Sequence, residues 1–487
     1  MTMSWNKIGA FQVDHATSCR FAQASGDFNP LHVDSILARR YQFGSTVIHG
    51  VCGVFKALDL LCEHLGCPVS IASIKVQFTR PILPNDNVEV VMHQSAAHAL
   101  KLRLLVHGKR AQDIDLIWMG DSDKKSEMPK YTSIPVNRPQ PVDLQFEDAT
   151  ALESQFNLVW DPDSIQSLFP HVKKYLPDNQ SAVLLGLTNI VGMQCPGLHS
   201  VFAGFNVHFV QNESSSDAKM HFKVIRSDSR FSMVTIGISH NKASGEITAL
   251  FRPKPISQEK YTEFQALVSK DQFAGQIALI IGGSRGIGEV VAKLIAAGGG
   301  HSVITYHQGK DDAARIVNEI RSHGGKCDTI SYNVLSSAES DITSCFPGKR
   351  ITHIYYFASP LIEKGDHLIW DDAIFQKFCS YYINGFVNLI EKFLSDVAYS
   401  KNILTVFTPS TIFLEQPQKG FNEYIASKAA VEALVRQLAA KYSGWVFCAP
   451  RLPRMLTDQT SGLGTDSTQN TAEVMLDALN LMNCLSR

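Results

Sequence analysis

The chain holds ten cysteines, Cys19, Cys52, Cys62, Cys67, Cys195, Cys327, Cys345, Cys379, Cys448 and Cys484, yet no C-x-x-C pair, so the usual zinc and dithiol signatures are missing. Scattered thiols of this kind fit a reducing compartment. Net charge is nearly absent: 45 Lys+Arg against 46 Asp+Glu leave -1, too little field to hold nucleic acid or an anionic membrane. No uncharged apolar run reaches the roughly 18 residues of a membrane span, and MTMSWNKIGAFQVDH lacks the basic, apolar and small-residue succession of a signal peptide. The expectation is a cytoplasmic protein acting on small molecules, with no metal, no nucleic acid and no membrane partner. With 45% hydrophobic and 19% charged residues the composition is that of globular domains. At roughly 150 residues per domain, 487 residues predict about three domains.

Proline-rich polar stretches at residues 124 to 141 and 252 to 261 resist helix and sheet alike and mark boundaries. They divide the chain into segments 1–128, 129–258 and 270–487. In the first, apolar residues recur at steps of three and four from Val51 to Leu65, with Gly66 and Pro68 beyond, which predicts a helix over 50–65. Period-two runs follow (SIKVQF, NVEVVM, LRLLVH, IDLIWM), as in an antiparallel sheet. The second segment repeats the order more loosely, with SAVLLGLTNIVGM before FAGFNVHFV, AKMHFKVI, FSMVTIGI and GEITALF, and reads as a diverged copy. The third alternates apolar strands (IALIIGG, HSVITY, ITHIYYF, NILTVFT, GWVFCAP) with helical stretches, the pattern of a parallel sheet covered on both faces. The expected fold is α+β twice over, then an α/β doubly wound sheet.

The segment FAQASGDFNPLHVDSILARRYQFGSTVIHG carries an Asp and a His five apart, Asp27 and His32, and a His-Gly at the start of the helix; VQFTRPILPNDNVEV follows. Adding water to an enoyl thioester needs one group to take a proton and one to deliver a proton to the α-carbon, a task a carboxylate and an imidazole can divide. The segment resembles the MaoC-like R-specific enoyl-thioester hydratases, whose fold is the hot dog. The resemblance implies that Asp27 and His32 are the catalytic pair, that Asn29 shapes the loop, and that the Gly50 N–H polarises the thioester carbonyl at the positive end of the helix. Some members carry a serine where this chain has Leu58. The second segment has no DFNPLH-like loop, so its His171 and His208 read as structural or surface residues. In related fused pairs one half is inert and completes the acyl tunnel, the role expected here.

GGSRGIG at 282 to 288 follows an apolar strand and opens the helical run EVVAKLIAA, the context in which a glycine-rich loop holds a dinucleotide. Gly282 allows the turn, Gly286 lets the backbone approach the pyrophosphate, and Gly288 permits close helix packing. No acidic residue ends HSVITYHQGK, while Arg285 stands where a 2′-phosphate can meet it; NADPH is expected over NADH, with His307 and Lys310 able to assist. Tyr424 and Lys428 in EYIASKAAVEAL share a helical face. Spacing and pair together resemble the short-chain dehydrogenase/reductase family. That resemblance implies cofactor contacts from Ser284, Ile287, Asn333 and Ala358 besides the glycines. It further implies proton donation by Tyr424, with Lys428 lowering its pKa and holding the ribose, and a hydroxyl that binds the substrate carbonyl. The family serine lands on Thr411, with Ser410 one step earlier; Ser410 is the expected residue.

Departures from that family are Phe357-Ala358-Ser359 for Asn-Ala-Gly, Asn333-Val334 for Asp-Val, Tyr382 for the relay asparagine with Asn384 two positions on, and Pro450-Arg451 for Pro-Gly. They leave open a specialised or inactive reductase. Together the resemblances imply an enzyme that reduces a 3-oxoacyl thioester with NADPH and reversibly dehydrates the (R)-3-hydroxyacyl product to the trans-2-enoyl thioester, as a ketoreductase and dehydratase of fatty-acid or polyketide-type biosynthesis. The substrate rides on coenzyme A or an acyl carrier protein, and pairing through the reductase segment implies a homodimer or homotetramer. Three alternatives stand beside this: hydration and oxidation in the β-oxidation direction, a thioester-binding or thioesterase module beside an independent reductase, and a reductase segment that serves only as scaffold.

Overall fold

The computed structural model describes residues 4–119, 138–210, 218–241, 243–336, 342–343, 350–365, 369–400, 402–460 and 468–485. The proline-rich stretch 124 to 141 lies, up to residue 137, outside these, as do the 128/129 boundary and Cys345. The chain forms two compact units, Met1–Lys254 and Pro255–Arg487, which divide inside the second predicted linker.

The first unit is built on one ten-stranded sheet. Its first half contributes β1 (Asn6–Phe11), β2 (Ser70–Phe78), β3 (Val88–Ala96), β4 (Ala99–Val106) and β5 (Lys109–Met119). The second half contributes β6 (Glu153–Asn157), β7 (Ser200–Phe209), β8 (Lys219–Asp228), β9 (Met233–His240) and β10 (Ala243–Phe251). The order β1-β3-β4-β5-β2-β7-β10-β9-β8-β6 reads as two five-stranded copies related by reversal at the β2–β7 seam. Across that seam the strands run antiparallel, from Ser73 opposite His208 to Gln77 opposite Gly204. The two segments read as separate domains from sequence thus share one sheet.

Each half lays one apolar helix on the sheet. In the first it runs Gly50–Leu65 and buries Val51, Val54, Phe55, Leu58 and Leu61; it stops at Gly66, whose φ of 65° suits a residue without a Cβ. In the second it runs Asp178–Asn189 and continues into a π-helical turn, Ile190–Gln194. Both helices and the inner sheet face form one hydrophobic cluster. Full burial of one such Leu or Phe side chain stabilises by roughly 1.5–3 kcal/mol.

The second unit holds a six-stranded parallel sheet of β11 (Ile277–Ile281), β12 (His301–Tyr306), β13 (Lys326–Ser331), β14 (His353–Tyr356), β15 (Leu404–Phe407) and β17 (Trp445–Cys448), with the minor pair β16 (Ser410–Thr411) and β18 (Arg451–Leu452). The order β13-β12-β11-β14-β15-β17 reverses direction between β11 and β14, which places a crevice at the carboxyl ends of those strands. Apolar clusters lie on both faces. The architecture is a double hot dog followed by a Rossmann-type α/β sheet.

Candidate functional sites

In the first unit the helix His15–Ser25 ends at Gly26, in the left-handed region at φ 71°, and this reversal turns Asp27 inward. Asn29 then caps the short helix Pro30–Val33, its Oδ1 accepting from Leu31 N at 3.0 Å. Asp27 is 1% exposed. Its Oδ1 accepts from Asn29 N at 3.1 Å and its Oδ2 from the Thr188 hydroxyl at 2.7 Å. Burial raises its pKa against the opposing influence of His32, Thr188 and Asn29.

His32 is half-buried, and its Nδ1 donates to the carbonyl of Val47 at 2.8 Å. That bond fixes the tautomer and leaves the Nε2 lone pair free of a proton. Burial, and then the neighbouring His49, lower its pKa to about 3. His49, the residue before the central helix, is fully buried; its Nε2 donates to the Asp27 carbonyl at 3.0 Å, and its ring stacks on that of His32 at 3.8 Å. Ligand atoms of Asp27, His32 and His49 lie within 4.8 Å of one another. The sequence reading used His49 only as part of a motif; its contacts place it at the centre.

Gly50 opens the central helix, where the helix dipole and unpaired N–H groups favour negative charge. A Cβ at Gly50 would lie 2.8 Å from the Phe78 ring, so any larger residue there requires that ring or the helix start to shift. Gln112 Nε2 donates to the Gly50 carbonyl at 3.1 Å and steadies this turn. Leu58, at the position where some relatives carry serine, is core. His171 pairs with Glu63 at 3.7 Å and His208 is exposed, so neither approaches Asp27 in role.

In the second unit Gly282 follows β11 with φ 77°, and a Cβ there would lie 3.1 Å from Ala358 N; at Gly288 it would lie 2.3 Å from the Gly282 carbonyl oxygen. Gly286, with φ 56°, opens the helix Gly286–Ala297. The loop is a backbone cradle at a helix N-terminus, at the crevice between β11 and β14, and it fits a dinucleotide. Ser284 is buried and Ile287 half-buried beside it. Arg285 Nη1 lies 3.7 Å from the carboxylate of Asp458, a residue the sequence reading overlooked. His307 is exposed just past β12, and Asn333 Oδ1 accepts from Leu335 N at 3.0 Å.

Tyr424 and Lys428 lie buried on the helix Asn422–Lys441. Burial pushes the Tyr424 phenol up to about 12, opposed by a hydrogen bond with the Thr411 hydroxyl. The Lys428 Nζ lies 5.8 Å from the centre of the Tyr424 ring. Burial brings Lys428 down to about 7; its Nζ donates to the Pro409 carbonyl at 2.8 Å and sits 3.9 Å from the centre of the Tyr382 ring. The Tyr382 hydroxyl in turn meets Ser359 Oγ at 2.7 Å, while Asn384 is exposed.

The choice of Ser410 needs correction. Ser410 and Thr411 are neighbours on β16, so their side chains point to opposite sides. The Ser410 hydroxyl donates to Glu432 at 2.6 Å, and Glu432 is clamped by Arg451 at 2.7 and 2.8 Å. Thr411 is the hydroxyl that meets Tyr424.

Residues 5–109 match the MaoC like domain and residues 276–449 match the short chain dehydrogenase family. The chain thus joins a MaoC-like dehydratase domain to a short-chain dehydrogenase domain. It is 33% identical over 87 residues to the peroxisomal hydratase-dehydrogenase-epimerase of Saccharomyces cerevisiae, covering 17% of this chain and 9% of that protein. Over 181 residues it is 27% identical to a fatty acyl-CoA reductase of Acinetobacter baylyi, covering 35% and 59% respectively. Over 70 residues it is 36% identical to the peroxisomal multifunctional enzyme type 2 of Mus musculus, covering 14% and 10%. Each alignment spans less than two thirds of the relative's own length.

Proposed function

We propose that the protein reduces a 3-oxoacyl thioester with NADPH in its second unit and reversibly dehydrates the (R)-3-hydroxyacyl thioester in its first. The observation that carries this reading is the cluster of Asp27, His32 and His49 at the start of the Gly50–Leu65 helix in one unit, taken together with a dinucleotide cradle, Tyr424 and Lys428 in the other. Joining the two raises the effective concentration of the shared hydroxyacyl intermediate at the second site it visits.

In hydration, a water between Asp27 and His32 meets two acceptors, the carboxylate and the Nε2 lone pair. Asp27, raised from 3.8, is a stronger base than His32, lowered to about 3, so the carboxylate takes the water proton while Nε2 holds the water. The oxygen bonds to C3, the π electrons move toward the thioester carbonyl, and the Gly50 N–H stabilises the resulting enolate oxygen. Asp27 then gives its proton to C2. Dehydration runs the same steps in reverse.

For reduction, the Gly282–Gly288 loop would hold the pyrophosphate, with Ser284, Ile287, Asn333 and Ala358 lining the nucleotide and Lys428 the ribose. When bound, the nicotinamide supplies a hydride. Tyr424, kept protonated by burial, donates its phenolic proton to the carbonyl oxygen, Thr411 bonds that oxygen or Tyr424 itself, and Lys428 returns a proton to the phenolate. Arg285 and the lack of an acidic residue at the end of β12, where His307 and Gln308 stand, favour NADP over NAD. The free thiols of the described cysteines suit a reducing compartment such as the cytosol, and a homo-oligomer through the reductase domain fits the family.

The name of the yeast relative favours a second reading, hydration followed by dehydrogenation, which would show itself as NAD-dependent oxidation of the 3-hydroxyacyl thioester. The separating experiment follows crotonyl thioester hydration and acetoacetyl thioester reduction in Asp27→Asn and Tyr424→Phe. Each variant should lose one activity and keep the other; loss of neither would refute the assignment.

A further inference from the structure

The second half of the first unit has no DFNPLH-like loop in its sequence, yet its helix end touches each successive residue of the loop that carries Asp27. Asn189 Nδ2 donates to the Gly26 carbonyl at 2.9 Å. Thr188 Oγ1 donates to Asp27 Oδ2 at 2.7 Å. Phe28 N points to Met193 Sδ at 3.1 Å, and Asn29 Nδ2 donates to the carbonyls of Gly192 at 3.0 Å and Gly197 at 2.9 Å. The π-helical turn is what presents this row, since the change in pitch after Asn189 turns Gly192 toward the carboxylate. A Cβ at Gly192 would stand 2.1 Å from Asp27 Oδ1.

We infer that the second half is the cradle of the dehydratase site, with Thr188 as the positioning residue that holds Asp27 ionised and correctly turned, and Gly192 as the gap that admits its carboxylate. Thr188 is 3% exposed. A threonine within a helix commonly spends its hydroxyl on the carbonyl one turn back; this one spends it on a carboxylate 161 positions away in sequence. The charged and titratable groups around Asp27 are His32 and His49, with Arg252 acting on His32 from the end of β10; the helix Asp178–Asn189 faces Asp27 with the neutral Thr188. The hydroxyl is therefore the one donor from that side that favours the carboxylate over the acid.

The inference rests on the hydratase reading of Asp27. It is tested by kcat/KM for crotonyl thioester hydration across pH in Thr188→Val, Thr188→Ser and Asp27→Asn of the full chain. Loss of one hydrogen bond to a charged group predicts a fall of about tenfold or more in Thr188→Val, with the acid limb moved to higher pH, and recovery of both in Thr188→Ser. Should the valine variant fail to fold, Thr188→Ala removes the same donor with less steric demand and carries the same expectation. A valine or alanine profile that superimposes on the parent overturns the role of Thr188. An Asp27→Asn chain that hydrates at the parent rate overturns the hydratase reading itself, a different failure.

Discussion

Lys428 Nζ lies 3.9 Å from the centre of the Tyr382 ring and 5.8 Å from that of Tyr424, and it donates to the Pro409 carbonyl, so its charge is held by two aromatic rings and one neutral oxygen. No carboxylate pairs with it among the described residues, and burial lowers it to about 7. Below that value the amine is charged and can return a proton to Tyr424; above it, the proton is gone. Reduction should therefore fall as pH rises through about 7, a decline that Lys428→Gln, slower at every pH, should lack. Initial rates with NADPH between pH 6 and 9 check this.

Thr411 and Ser410 separate cleanly by mutation. Thr411→Val should slow reduction by about 10²-fold at constant fold, as removal of a carbonyl-binding donor does. Ser410→Ala, which frees Glu432 to keep its clamp on Arg451, should change activity by no more than a few-fold. Single-turnover reduction rates would show the contrast.

Gly50→Ala must push a Cβ into the Phe78 ring, and the helix start would move with it. Hydration should fall about 10-fold to 100-fold, and the loss should shrink in Gly50→Ala combined with Phe78→Leu, because the clash and not the methyl is at fault. A double-mutant cycle on crotonyl thioester hydration measures the coupling.

Arg285→Ala should cut the preference for NADPH over NADH by about tenfold, and Asp458→Asn should raise it, since the carboxylate 3.7 Å away competes with a 2′-phosphate for the guanidinium. The ratio of kcat/KM for the two cofactors reads this.

What the sequence revealed, and what it hid, follows from the range of each interaction. The helix Gly50–Leu65 emerged with both ends in place, because its apolar spacing and Gly66 are local signals. The glycine loop and the Asp27/His32 pair were local too. Strands β1, β6 and β13 carry no such signal: ESQFN and KCDTIS are largely polar, NKIGAF has no alternation of apolar and polar residues, and all three are mostly half-buried or exposed. The sequence does not separate Ser410 from Thr411, because a one-residue shift on a strand reverses which side chain faces the site and nothing local sets that register. Thr188, Gly192 and Asp458 act across more than a hundred positions and left no spacing to read.

The most direct test of the account is a mass spectrum of the acyl group after incubation of the whole chain with acetoacetyl thioester and NADPH, with NADH in parallel. The account predicts a gain of two hydrogens and then loss of water, faster with NADPH. A substrate returned unchanged, while crotonyl thioester is hydrated and then oxidised with NAD, would contradict it.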